Sequence, residues 1–255
     1  MAGGTGSRLS PVTTAVNKHL LPVFDKPLIY YPLSTLMLAG IREILLISSP
    51  REISNFELLL GSGEQFGITI DYAVQRKPNG IAEGITLGRD FIKGHKVGFI
   101  LGDNLFHGAG LGRQLAMYQD INGAQVFAYP VRDPENYGVV EIHTDGTILN
   151  LTEKPKIFRS NLAVTGLYFY DEQVSDLVEQ VIPSARGELE ITDLNELYLK
   201  LGRLNVTVLS RGTAWLDTGT FSGLHDAASY IKIVQERQNS LIGDPYDVAI
   251  SQGWK

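Results

Sequence analysis

Val97-Gly98-Phe99-Ile100-Leu101-Gly102-Asp103-Asn104 is the stretch on which the reading of this chain turns. Five residues without polar alternation, cut off by a glycine and an acid, read as a strand covered on both faces. Ile44-Leu45-Leu46-Ile47 has the same texture. Residues 51–60 look helical, 68–72 extended and 81–93 helical. Strands and helices in alternation imply right-handed β-α-β crossovers and a mostly parallel sheet. From about residue 124 the texture changes to strands at 126–129, 139–142, 147–149 and 164–170. Asp145-Gly146 is a hairpin signal between the second and third of these. A helix at 192–201, a strand at 204–209 and an amphipathic helix at 222–238 complete the pattern. The expected fold is α/β, a Rossmann-like, mostly parallel central sheet flanked by helices, with a small mixed-sheet subregion.

The rest of the composition narrows the function. The chain has 255 residues, with 22 Lys+Arg against 28 Asp+Glu and a net charge of −6. That balance speaks against nucleic-acid binding, which wants a basic face. There are 0 cysteines, so thiol catalysis, CxxC redox chemistry and thiolate zinc sites are excluded, and a cytoplasmic setting is expected. The five histidines show no metal-binding spacing such as HExxH. The most apolar window, residues 28–47, is broken by Gly40 and Arg42-Glu43. A membrane span needs about 20 apolar residues, so the window reads as a buried helix followed by a buried strand. Met1-Ala2-Gly3-Gly4 does not open an apolar signal region.

Ala2-Gly3-Gly4-Thr5-Gly6-Ser7-Arg8-Leu9 gathers three glycines, two hydroxyls and an arginine. Glycines allow left-handed backbone and close approach of a ligand, and successive amides in such a turn form an anion nest. Arg8 adds a bidentate phosphate partner, and Lys18 offers a second cation. The stretch lacks the third glycine of a dinucleotide motif, and no Gly-Lys-Ser/Thr follows. A flexible tail is the competing reading. Asp103, just beyond a buried strand, sits where open α/β sheets bind ligands, though an Asp there also serves to cap a turn. Asp217 ends the apolar run Ala214-Trp215-Leu216, where the alternative is an N-cap for the last helix. Two carboxylates with nucleotide phosphate oxygens would make an all-oxygen Mg²⁺ site. Gln75 can offer one donor and one acceptor to a pyrimidine imide, or simply be solvated. Glu153-Lys154 read alone as an exposed charge pair.

The opening loop, Asn17-Lys18-His19-Leu20-Leu21-Pro22 and Pro27-Leu28-Ile29-Tyr30-Tyr31-Pro32-Leu33 closely resemble the sugar-1-phosphate nucleotidyltransferases, and the resemblance runs from Ala2 to about Trp254. Within that family it points to members that join dTTP and α-D-glucose 1-phosphate, giving dTDP-glucose and pyrophosphate, the first step of dTDP-rhamnose synthesis. It implies a single domain over 1–255, with a nucleotide-binding half at 1–123 and a sugar- and metal-binding half at 124–255. It implies Mg²⁺ on Asp103 and Asp217, and catalytic roles for Arg8, Lys18 and Lys154. The implied nucleotide site is Gly3, Gly4, Gly6, Ser7, Arg8, Lys18, Gln75, Pro78, Gly80 and Asp103. The implied sugar site is Tyr137, Gly138, Glu153, Lys154, Val164 and Tyr168, with Lys154 on the sugar phosphate. Arg186-Gly187-Glu188-Leu189-Glu190-Ile191-Thr192-Asp193 also resembles the family and is assigned to packing and helix initiation. Glu83 and His19 stand where the family usually has Gln, and Glu83 bears on nucleotide preference.

The resemblance further implies a homo-oligomer, tetramer or dimer. It implies an apolar strand directly before Ala2 and helices beyond Trp254, so the expectation is a trimmed version of a longer chain. Rival expectations are the same chemistry with UTP, CTP or another hexose 1-phosphate, and a regulatory homologue that binds sugar nucleotides without turnover. A dinucleotide-dependent oxidoreductase is the weakest, for want of the full glycine fingerprint.

Overall fold

The structure, a computed structural model, describes residues 1–4 and 6–255. In chain order the first elements are the hairpin β1 (Pro22–Val23) and β2 (Lys26–Pro27), then α1 (Tyr30–Leu38), β3 (Glu43–Ser48), α2 (Ile53–Leu60) and β4 (Thr69–Val74). There follow α3 (Glu83–Leu87), α4 (Arg89–Ile92), β5 (Val97–Ile100), β6 (Asn104–His107) and α5 (Leu111–Ala116). The middle holds β7 (Ala124–Pro130), β8 (Gly138–Ile142), β9 (Ile148–Glu153), β10 (Leu162–Tyr170) and α6 (Val174–Leu177). Last come α7 (Ile191–Lys200), β11 (Leu204–Val208), β12 (Ala214–Asp217), α8 (Phe221–Gln238) and α9 (Pro245–Ser251).

The chain divides into two compact units. One comprises Met1–Pro78, Ile100–Met117 and Gly212–Lys255; the other comprises Asn79–Phe99 and Tyr118–Arg211. Each is assembled from separated segments, so the units cut across the sequence boundary expected at 123/124. Non-local strand pairing is the cause: the partner of β6 lies more than a hundred residues downstream.

In the first unit, α1 is buried from Tyr31 to Met37 and ends as the chain turns at Gly40, whose φ of 84° suits glycine. It packs with β6 and α9. β3 and β4 pair in parallel, from Glu43 opposite Thr69 to Ser48 opposite Val74, with α2 as the crossover. This is the expected β-α-β unit. Met1 and Ala2 are pinned by backbone bonds: Ala2 N donates to Ile47 O at 2.7 Å and Gly102 N to Met1 O at 2.8 Å. Val23, Leu28, Tyr31, Leu105, Ala227, Ile231 and Ile242 form a core under α8, each large side chain contributing about 1.5–3 kcal/mol by burial. At the far end Arg42 stacks over the Trp254 ring at 5.2 Å.

In the second unit a six-stranded sheet runs β11-β7-β10-β8-β9, with β5 paired to β10. β11 joins β7 in parallel, while the β7–β10, β10–β8 and β8–β9 pairs are antiparallel. The expected turn at Asp145-Gly146 is present: Gly146 has φ 91°, and Asp145 accepts the Thr147 N–H at 2.9 Å. The helix expected over 81–93 breaks at Gly88 into α3 and α4. β1, β2, β6, α5, α6 and α9 have no counterpart among the expected elements. Their runs are too short for periodicity to register.

Candidate functional site

The opening loop is built as its glycines suggest. Gly4 and Gly6 have φ of 96° and 60°, backbone that L side chains rarely adopt. Gly6 O accepts the Leu9 N–H and the Thr13 hydroxyl, both at 2.8 Å, so the turn is pinned and is no loose tail. Thr5, whose hydroxyl belongs to the expected loop, lies outside the described residues. Gly3 lies close to Gln75, since a Cβ there would be 2.8 Å from Gln75 Oε1. Gln75 is buried and anchored by its N–H to Ser48 O at 2.8 Å. Glycine loop and Gln75 are thus neighbours. Ser7 and Pro78 are exposed in the same unit.

Asp103 and Asp217 are brought together by strand register. β12 runs antiparallel to β6 with Asp217 opposite Asn104. The following residue, Thr218, donates its hydroxyl to Asp103 O at 2.8 Å. Lys18 forms an ion pair with Asp103 Oδ2, and the side chains are only 13% and 15% exposed. Burial alone would raise the Asp103 carboxyl, but Lys18 and the Asn104 amide overcome it and hold the group well below the usual carboxylate range. Asp217 moves the other way, raised by burial and by the Asp103 charge against the pull of the Gly219 N–H, Arg8 and Lys18. It does not cap α8. Thr220 does, accepting the Gly223 N–H at 3.1 Å, while Asp217 accepts the Gly219 N–H at 3.0 Å. Arg8 lies over Gly219, where a Cβ would be 2.5 Å from its Nη2.

Two more residues stand beside this pair: His19, noted above as a departure from the family, and Trp215, which the sequence does not single out. His19 is buried, its Nδ1 2.7 Å from Asn17 Oδ1, and burial with Lys18 pushes its pKa down to about 3, so it is neutral. Its ring fills the space beside Gly102, where a Cβ would meet Cδ2 at 2.8 Å. Trp215 donates its indole N–H to Asn104 Oδ1 at 2.6 Å, and Asn104 donates to Asp103 Oδ1 at 3.0 Å.

Sites for a cation can be judged on donor chemistry. No group of three or more His, Asp or Glu ligands exists among the described residues. Two converging carboxylates, one of them raised by the other's charge, suit a hard divalent cation whose remaining ligands are phosphate and water oxygens.

In the second unit Gly138, Lys154, Arg186 and Thr192 surround Glu153, while Tyr168, expected at the sugar site, is buried in an aromatic row. Gly138 stands opposite Glu153 in the β8–β9 ladder. Thr192, at the start of α7, donates to Glu153 Oε2 at 2.7 Å, and a Cβ on Gly138 would lie 2.9 Å from that hydroxyl. Arg186 reaches Glu153 Oε1 at 3.4 Å, and Lys154 Nζ lies at 3.8 Å. Lys154 has φ 44°, with its N–H on Tyr137 O at 2.9 Å, so the backbone at Tyr137 sets where the lysine leaves the sheet. Val164 begins the register shift in β10. Tyr168 ends that shift and is 3% exposed, stacked on Tyr170 in an aromatic row. The sequence assigns Arg186 and Thr192 only to packing and helix initiation. Their approach to Glu153 depends on non-local folding that no spacing reveals. Glu83 accepts the Asn79 amide at 2.8 Å, and Gly80 is packed against Leu189.

Comparison with known proteins places this geometry. Residues 1–233 match the nucleotidyl transferase family model. Over 255 residues the chain is 53% identical to a glucose-1-phosphate thymidylyltransferase of Xanthomonas campestris pv. campestris, covering 100% of this chain and 86% of that one. It is 50% identical over 254 residues to one from Mycobacterium tuberculosis, covering 100% and 88%. A Bacillus anthracis crystal structure described as a glucose-1-phosphate thymidylyltransferase in complex with a sucrose superposes with TM-score 0.83 at 41% identity, over 90% of this chain and 92% of that one. A UDP-glucose pyrophosphorylase complexed with UDP-glucose gives TM-score 0.75 at 26% identity, over 91% and 97%. The fold is that of these enzymes, and the chain belongs to the nucleotidyl transferase family, with the glucose-1-phosphate thymidylyltransferases.

Proposed function

We propose that the chain condenses dTTP with α-D-glucose 1-phosphate to dTDP-glucose and pyrophosphate, opening the route to dTDP-rhamnose and related deoxysugars. The observation that carries the reading is the Asp103–Asp217 juxtaposition beside Lys18 and Arg8, in a chain 53% identical along its full length to a thymidylyltransferase. A phosphate oxygen of the sugar phosphate attacks the α-phosphorus in line; the bond from that phosphorus to the bridging oxygen breaks, and pyrophosphate leaves with the electron pair. The nucleophile is already anionic, so no general base is required. Positioning and charge neutralisation carry the rate.

The loop amides around Gly3, Gly4, Gly6 and Ser7 cradle the nucleotide phosphates, and Arg8 neutralises charge there. Gln75, Pro78 and Gly80 receive the base. Lys18, set at Asp103, steadies the charge that develops on pyrophosphate. Lys154 orients the sugar phosphate, while Tyr137, Gly138, Glu153 and Val164 define the hexose pocket, with the buried Tyr168 packed behind it. Asp103 and Asp217 would hold Mg²⁺, which supplies neutralisation of the phosphate charge when bound. The enzyme works as a homo-oligomer, tetramer or dimer, in the cytoplasm. The absence of cysteine supports that setting, and no helix among the described residues is long and apolar enough to cross a membrane.

Mg²⁺-dependent pyrophosphate release with glucose 1-phosphate and dTTP, UTP, CTP or GTP tests the proposal. Preference for dTTP is the expected result. Preference for another nucleotide would retain the chemistry and move attention to Glu83 and His19. A folded chain without turnover on any of the four would make it a binding protein.

A further inference from the structure

The sugar cluster and the loop expected to receive the base are tied together within one unit. Asn79 O accepts the Leu189 N–H at 2.7 Å, and Leu189 O accepts the Ala82 N–H at 3.0 Å. Gly80 lies flat against the same residue: with φ 115° and any Cβ colliding with the Leu189 backbone N and O, only glycine fits. Asn79 is itself braced by its side-chain amide on Glu83 Oε1 at 2.8 Å.

Leu189 belongs to a short, self-bonded loop. Gly187 N donates to Ser184 O at 2.8 Å and Ser184 N to Glu188 O at 2.9 Å. Glu190 is 6% exposed and accepts from Ser184 Oγ at 2.8 Å and from Arg186 Nη2 at 2.8 Å. Arg186 then reaches Glu153, as Thr192 does from the far side. A displacement at Gly80 therefore passes through the Leu189 backbone to two groups that orient Glu153. Packed hydrogen-bonded segments of this kind transmit shifts because they have no slack.

We infer that Gly80 is a positioning residue for the hexose 1-phosphate site, acting through the Leu189 backbone on Arg186 and Glu153, so that nucleotide seated on residues 78–80 favours sugar binding. The inference rests on the reading that Glu153 faces the hexose. By reciprocity, a bound sugar must then favour nucleotide by the same factor.

The test is calorimetric and needs no turnover: the ratio of dTDP-glucose to dTDP affinity, which isolates what the hexose adds. Gly80→Ala is expected to lower this ratio about tenfold, the scale of one misplaced hydrogen bond to a charged group. Equal loss for both nucleotides would confine Gly80 to the base and overturn the inference. Glu153→Ala is the control. If it leaves the ratio unchanged, the sugar reading of Glu153 fails; if it collapses the ratio while Gly80→Ala does not, only the coupling fails. Should Gly80→Ala not fold, amide exchange of the unaltered protein decides: dTDP alone slows the Leu189 amide if the inference holds, and leaves it unchanged if it does not.

Discussion

The aspartate pair in one unit and the Glu153 cluster in the other handle charge in opposite ways. Asp103 and Lys18 are nearly buried and locked by register, by Thr218 and by the Asn104 amide. Around Glu153 the cations Lys154 and Arg186 are 47% and 42% exposed, and side chains make most of the contacts. Buried charges act at full strength in a low dielectric, and each lost partner is costly. Exposed ones are screened and individually weak. The first arrangement suits charge stabilisation in a transition state; the second suits recognition of a hydroxylated ligand that comes and goes.

Asp217→Asn should mark the contrast most sharply. Turnover is expected to fall roughly 10²–10³-fold, while thermal midpoint in a chelator-treated sample holds or rises, because the substitution removes a carboxylate that burial and Asp103 both oppose. Asp103→Asn should lose as much activity and also about 2–4 kcal/mol of stability, since it strands Lys18. Equal thermal midpoints for the two variants would break the picture of a locked pair.

Next in size is a pH effect from His19. Its folded pKa, near 3, lies below the ordinary histidine value, so the neutral ring contributes stability that is present above about pH 6.5 and lost as pH falls toward 3. Denaturant unfolding across that window should show up to about 4 kcal/mol of decline, scaled from the shift. His19→Gln should flatten the limb between pH 6.5 and 5, where carboxylates stay ionised. An unchanged limb would assign the decline elsewhere.

In the sugar cluster Thr192→Val should raise KM for glucose 1-phosphate about three- to tenfold, the value of one hydrogen bond, with KM for dTTP unmoved and Thr192→Ser restoring it. A matching rise in both KM values would show that Thr192 supports the fold and not the carboxylate. The smallest effect belongs to Lys96→Ala. Its partner Asp120 is 98% exposed, so the thermal midpoint should not move.

How legible all this was depends on distance along the chain. The buried strand ending at Asp103 is readable because apolar runs and a Gly-Asp stop are local signals. Gly4 and Gly6 are readable because their positive φ values demand glycine. Asp217 was legible as an acid ending an apolar run, but its place opposite Asn104 was not: that comes from a pairing that spans 113 positions, and β6 is four residues long. Arg186 and Thr192 hid for the same reason. Their chemistry is created when the segment at 184–192 folds onto Glu153, and locally they resemble a turn and a helix start.

One hydrogen bond also makes the molecule its own optical probe. The chain has 2 tryptophans. Trp215 is joined through Asn104 to a carboxylate of the aspartate pair, while Trp254 sits under Arg42 beside Gly67. Emission from the indole of Trp215 should therefore report occupancy of Asp103 and Asp217 directly, with the indole of Trp254 as an internal reference. Trp254→Phe would leave a single-tryptophan enzyme in which metal and nucleotide arrival can be timed without label, coupling enzyme or radioisotope.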